Sequence, residues 1–294
     1  MRYAKAGVGL GMIVLACGGS APVAPPPPSP DASLAPDPFV QQLAGKRVLW
    51  IGAHPDDEST VAPVLGEACV DGGATCTFLV ATRGEGGCGG NPSECATTRS
   101  AEMQAAAKLY RGVVVQWDLA DGPETTTNQV ADAWAAASGG AEALIAKMKS
   151  AIEAAAPDVV VTFDPRHGTT CHPAHRAVAE LALTALQRIG AGAPPAWLGE
   201  VRIDIAANGS TIGYLPAVAG DPKLVTYDAT RSSAGAKGQT WEYLLANLRV
   251  HASQFTPAQV TAFSAAAPVE RRVFFLSYAE ATAAKDPLYD VLCN

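Results

Sequence analysis

Four apolar runs of strand length mark the first half of the chain: "RVLWIGA" (47–53), "TCTFLVAT" (75–82), "GVVVQWDL" (112–119) and "DVVVTFD" (158–164). Each is continuous rather than alternating, which predicts strands buried on both faces. Between them lie 59–70, 95–110 and 129–156, the last two with Ala-rich helical spacing, and Ser138-Gly139-Gly140 predicts a break in the longest. Strands joined by helical crossovers predict a mainly parallel sheet covered on both sides, an α/β three-layer sandwich. Beyond a helix at 173–189, "EVRIDIAANGSTIGYLPAV" (200–218) and "KLVTYDA" (223–229) read as strands added at the sheet edge. An amphipathic helix follows at 240–255. No internal repeat or second domain boundary interrupts 38–294, which reads as one domain.

The polar positions are as patterned as the apolar ones. Each of the four runs ends in a cluster: "HPDDE" (54–58), "TRGEGG" (82–87), "DLADG" (118–122) and "DPRHGTTCHPAH" (164–175). In open α/β sheets, sites form beyond the carboxyl ends of the strands, so the four loops converge on one crevice. Clustering carboxylates at the tip of a buried strand costs free energy unless a cation offsets it.

The ends of the sequence have a different texture. Residues 1–17 place Arg2 and Lys5 before an apolar segment that closes on Val14-Leu15-Ala16-Cys17. This resembles a lipoprotein signal, with Cys17 as the lipidated residue. Residues 18–37 are Pro, Ala and Ser with little bulky apolar content, and predict an extended spacer. The expectation is an exported lipoprotein of the bacterial cell envelope, attached to the membrane through Cys17. The net charge of −7 and the lack of a basic block exclude nucleic acid as a partner. Six further cysteines, at 69, 76, 88, 95, 171 and 293, suit disulfides in an exported chain. Cys69/Cys76 and Cys88/Cys95 enclose short turn-rich intervals, and no C-x-x-C occurs to favour a cysteine zinc site. Cys171 reads as a further disulfide cysteine, with Cys293 as a candidate partner.

Four of the five histidines lie in the four-loop crevice. His54 and Asp57 are three apart, as are His172 and His175. Pro173 suits the first position of a helix, making His172 the N-cap and placing His175 in the first turn. The positive helix end disfavours protonation of His175, and a neutral imidazole is what a metal needs. Two histidines and a carboxylate with an open position form the donor set of catalytic zinc. Trp50 and Trp117 read as core, and Asp164 and His167 as turn residues. Glu58 and Glu85 read equally as pocket lining, a helix-start carboxylate or a loop hydrogen bond. Arg99 and Glu102 share a helix face, so an ion pair competes with a ligand role.

Ala53-His54-Pro55-Asp56-Asp57-Glu58, Thr82 to Gly87, Arg99-x-x-Glu102, Asp121-Gly122 and His172-Pro173-x-His175, in that order, resemble the PIG-L/LmbE-like zinc deacetylase family. "HASQF" (251–255) resembles a weaker element of it. The resemblance implies a Rossmann-like fold and hydrolysis of an N-acetyl group from a glucosamine-containing small molecule or glycan. His54, Asp57 and His175 would bind Zn²⁺, Asp56 would be the general base, and His172 would stabilise the oxyanion or protonate the leaving amine. Arg99 and Asp121 would contact the sugar. The family's HPDH is here His172-Pro173-Ala174-His175, so His172 lacks a neighbouring carboxylate and is expected to donate as a neutral imidazole. An amidase for larger acyl or thiol conjugates of glucosamine, and a non-catalytic carbohydrate-binding lipoprotein, are the alternatives.

Overall fold

The structure, a computed structural model, describes residues 37–202, 205–207, 210–212, 224–266 and 271–281. The leader with Cys17, the spacer up to residue 36, and Cys293 lie outside these residues. In chain order the elements are α1 (Pro38–Gln41), β1 (Arg47–Gly52), a 3₁₀ turn (Asp57–Val61), α2 (Ala62–Leu65), a π segment (Gly66–Asp71), β2 (Thr75–Thr82), α3 (Pro92–Leu109) and β3 (Val113–Leu119). Then come α4 (Thr127–Ser138), α5 (Ala141–Ala155), β4 (Val159–Thr162), α6 (Gly168–Cys171), α7 (Pro173–Ile189), β5 (Ala196–Arg202), β6 (Ile205–Ala207) and β7 (Ser210–Ile212). The described part closes with β8 (Val225–Asp228), β9 (Ser232–Ser233), β10 (Gly238–Gln239), α8 (Trp241–Val250), α9 (Pro257–Ser264), β11 (Arg272–Ser277) and α10 (Tyr278–Ala281).

The main sheet runs β3-β2-β1-β4-β5-β11-β8. β3 to β5 are parallel, and β11 runs antiparallel to both of its neighbours. Helices α4, α5 and α7 pack together, as do α2, α3 and α8, one set on each face. The chain winds outward from β1 to β3 and then returns to β4 on the other side of β1. The β1/β4 boundary is therefore the topological switch point, where the loops after the two strands part and leave a crevice. Both histidine loops start there.

β1 is central because Val48 to Ile51 are buried on both faces, with Trp50 level with Phe78 and Val161 on its neighbours. Threonines lock the strand ends in register: Thr82 Oγ1 donates to Ala53 O at 2.8 Å and Thr162 Oγ1 to Ile51 O at 2.9 Å. The crossover at 129–156 does divide, at Gly139 with φ of 88°.

Several expectations need correction. β3 is an edge strand, with Val113 60% and Val115 40% exposed, and Trp117 is only half-buried beneath the Lys147 ammonium at 4.3 Å. β5 is interior, lying between β4 and β11, and it begins at Ala196. β6 and β7 form a separate hairpin rather than an extension of the main sheet. The last long helix stops at Val250, because His251 leaves helical geometry with φ −82° and ψ 50°. "RVFFLS" and α9 had no predicted counterpart. Asp164 and His167 are turn residues as expected, but fully buried ones, with Asp164 paired to Arg166.

Cys69–Cys76 and Cys88–Cys95 are bridged. Cys171 is also disulfide-bonded. Cys88–Cys95 fastens the glycine loop after β2 to the start of α3. By loop-closure entropy, Cys88→Ser/Cys95→Ser should lose about 2–3 kcal/mol of stability. Urea unfolding measures this, and an unchanged midpoint would show that the bridge does not constrain the unfolded chain.

Candidate active site

The turn after β1 folds back so that Asp57 Oδ2 accepts from the backbone N–H groups of Ala53 at 2.6 Å and His54 at 2.9 Å. This commits one carboxylate oxygen and leaves Oδ1 facing the crevice. Oδ1 lies 3.0 Å from His175 Nε2 and 3.5 Å from His54 Nδ1. Burial would raise the Asp57 pKa, but the His175 and His54 imidazoles outweigh it and hold the group well below the carboxylate range.

Each of these imidazoles has a partner behind it. His175 Nδ1 lies 2.9 Å from Gly168 O, and a carbonyl can only accept, so Nδ1 carries a proton and Nε2 is the nitrogen facing Asp57, the one a metal would take. The ring is stacked on Phe163, with centroids 4.4 Å apart. His54 Nε2 lies 3.3 Å from Asp121 Oδ1, which turns its Nδ1 inward. Burial by itself would lower the His54 pKa, yet Asp57 and Asp121 push it up to about 10. The site thus holds positive charge between its carboxylates, which a metal cation supplies equally well. Such outer partners fix tautomer and ring orientation in metal sites.

His172 is placed differently. As the N-cap of α7 it accepts the Ala174 N–H on Nδ1 at 3.3 Å. Its neutral form therefore carries the proton on Nε2. Partial desolvation, then the nearby His175 and His54 rings, push its pKa down to about 4. Nitrogens of His54, His172 and His175 lie within 4.8 Å of one another. The Ala174 hydrogen bond nonetheless leaves His172 a donor, so Asp57 is the better third ligand. The residues fit a metal ion: two imidazole nitrogens and one carboxylate oxygen converge, each held from behind, and the cation would displace the protons that the nitrogens otherwise carry.

Asp56 stands beside this set with a backbone φ of 111°, rare outside glycine. Arg99 is buried and reaches across from α3, Nη2 donating to Pro55 O at 2.6 Å and to Asp56 Oδ1 at 3.0 Å. Its Nη1 donates to Gly84 O at 3.0 Å. Burial raises the Asp56 pKa to about 6, and Arg99 opposes that rise. The glycines after β2 serve this packing. A Cβ on Gly87 would lie 2.2 Å from Arg99 Nη1, and Gly84, at φ 69°, would meet the same guanidinium.

The cleft has a volume of about 390 Å³, and Glu124, Gln254 and Phe255 join the histidines and aspartates along its wall. All seven catalytic, metal and sugar-contact residues read from the sequence line it. Two of them carry contacts that the sequence did not suggest. Arg99 is spent on Asp56 and two carbonyls, while Glu102 binds the backbone and hydroxyl of Ser253. Asp121 orients His54 and accepts from Gly86 N–H. Glu85 proves to be a loop residue, accepting from Asp121 N–H at 2.9 Å.

The family described as PIG-L: GlcNAc-PI de-N-acetylase matches residues 49–186. The chain carries a PIG-L family domain. The PIG-L match runs from β1 to α7 and takes in both histidine loops, leaving β5, β8, α8 and β11 outside it. No curated protein matches the sequence. Among solved structures, N,N'-diacetylchitobiose deacetylase from Pyrococcus horikoshii is 17% identical over 84% of this chain and 89% of its own, with a TM-score of 0.55. The A40926 pseudoaglycone deacetylase Dbv21 is 17% identical over 82% of this chain and 100% of its own, with a TM-score of 0.53. The 4-carboxy-2-hydroxymuconate hydratase GalB from Pseudomonas putida is 15% identical over 79% and 95%, also at 0.53. These likenesses establish a shared fold. A hydratase shares that fold with two deacetylases, so the fold by itself does not define the reaction.

Proposed function

We propose that this protein is a zinc-dependent hydrolase that removes the acetyl group from an N-acetylglucosamine-containing substrate. The observation that carries the reading is the pairing of two back-supported imidazoles converging on Asp57 Oδ1 with a separate carboxylate, Asp56, beside them. His54, Asp57 and His175 would hold the ion. Zinc, when bound, would supply Lewis acidity, polarising the acyl carbonyl and acidifying a water molecule near neutral pH.

Asp56 takes the proton from the attacking water as the O–C bond forms. It then returns that proton to the sugar nitrogen as the C–N bond breaks, so acetate and a free amine leave. Arg99 holds one Asp56 oxygen and leaves the other for this transfer. His172 donates its Nε2–H to the oxygen that becomes negative in the tetrahedral intermediate. Ala174 removes the carboxylate that would make His172 an acid, which agrees with donation from a neutral ring.

Substrate class follows from the cleft wall. Arg99, the one lysine or arginine among the described residues lining the cleft, is paired with Asp56, while Asp121 and Glu124 are acidic. Carboxylates accept from sugar hydroxyls and repel phosphate, so an uncharged amino-sugar glycan suits the site better than a phosphorylated one. A lipid anchor at Cys17 and the Pro-rich spacer would present the domain at the cell envelope.

The test is a product screen by mass spectrometry. N-acetylglucosamine, chitobiose-type oligomers, phosphorylated N-acetylglucosamine and larger acyl or thiol conjugates of glucosamine are incubated with zinc-loaded protein. Acetate and free amine from the uncharged acetylated sugars are expected. Cleavage of the larger conjugates alone would replace the deacetylase reading with the amidase one.

A further inference from the structure

Glu58 completes the acidic run after β1 but does not face the cleft. The 3₁₀ turn at Asp57–Val61 swings it into the core, where it is 0% exposed. Its Oε1 accepts from Asn247 Nδ2 at 2.9 Å and lies 2.6 Å from His251 Nε2. A carboxylate only accepts, so His251 carries its proton on Nε2 and donates it. The other oxygen, Oε2, accepts from the backbone N–H of Asp56 at 3.2 Å. His251 is also fully buried, at the end of α8.

We propose that Glu58 and His251 are positioning residues for Asp56; the inference rests on the role given to Asp56 above. Asp56 occupies a backbone region that disfavours L-residues, and such a conformation persists only when its surroundings fix it. Arg99 fixes the carboxylate from one side, and Glu58 fixes the N–H from the other. His251 and Asn247 in turn fix Glu58, tying the turn after β1 to a helix 189 residues away. Stability alone gives little reason for this arrangement, since apolar side chains of similar volume replace a buried ion pair at little or no cost. What they cannot replace is the acceptor aimed at Asp56 N–H. The same histidine shapes the facing wall, because His251 O accepts from Gln254 N–H at 2.9 Å and Phe255 N–H at 3.0 Å.

The experiment compares His251→Leu, His251→Gln and the double variant Glu58→Met/His251→Leu with the parent protein. The double variant guards against misfolding, because it leaves no unpaired buried carboxylate. Readouts are kcat and KM for acetate release, zinc content, and crystal structures. His251→Leu and the double variant should lose kcat by about 10²-fold, the cost of an ångström-scale misplacement. KM and zinc content should stay near parental values, and in the crystals Asp56 should leave its positive φ. His251→Gln, which keeps an N–H donor within reach of Glu58, should recover most of kcat. Parental kcat in the zinc-loaded double variant, or an Asp56 that has not moved, would overturn the proposal. If the parent itself releases no acetate, the deacetylase reading fails, and the Asp56 positions in the crystals still decide whether the pair holds that residue.

Discussion

Asp56→Asn is expected to give folded, zinc-loaded protein whose turnover is lower by about 10²- to 10⁴-fold, the usual contribution of a positioned general base. The substitution isolates proton transfer better than most. Asparagine matches aspartate in shape, and its carbonyl oxygen can still accept from Arg99 Nη2, which lies 3.0 Å from Asp56 Oδ1. It also tolerates positive φ better than other non-glycine residues, so the 111° backbone is not a new source of strain. What it lacks is a group that can take a proton from water and give it to an amine. Acetate release measured beside elemental analysis decides the matter. Unchanged release at full zinc occupancy would remove Asp56 from the mechanism.

The position of the site was legible because the relevant physics is local. Continuous apolar runs ending in charge identify parallel strands and their carboxyl ends, and strand order then brings the loops after β1 and β4 together. Pro173 predicted the start of α7, and with it the N-cap place of His172. What stayed hidden depends on neighbours far away in sequence. An apolar run reports what its residues could bury, not how many strands flank them, so "GVVVQWDL" looked the same as a central strand. "RVFFLS" pairs antiparallel with β5 through contacts that no local pattern encodes. Asp121 sits at a strand end, as read, but whether it meets a sugar or His54 depends on a 3.3 Å contact. Glu58 was ambiguous for the same reason: its partners, Asn247 and His251, belong to a helix beyond the family match.

Metal binding should separate His172 from His175. His175→Ala is expected to lose zinc, falling from near one equivalent per chain to a trace after dialysis, while His172→Ala keeps it. The basis is the tautomer each ring holds. Gly168 O fixes the His175 proton on Nδ1 and frees Nε2 beside Asp57, whereas the Ala174 N–H occupies Nδ1 of His172 and leaves Nε2 protonated. A ring that presents N–H toward the cleft is a donor, and binding metal through that nitrogen would forfeit the α7 cap. Asp121→Asn should fall between the two variants. It retains the ligands but weakens the group behind His54, and loss of such an outer partner costs about 10- to 100-fold in affinity. Zinc titration against a competing chelator, run on the three variants and the parent, gives the order directly. Equal zinc loss in His172→Ala and His175→Ala would instead make all three clustered histidines ligands and take oxyanion donation away from His172.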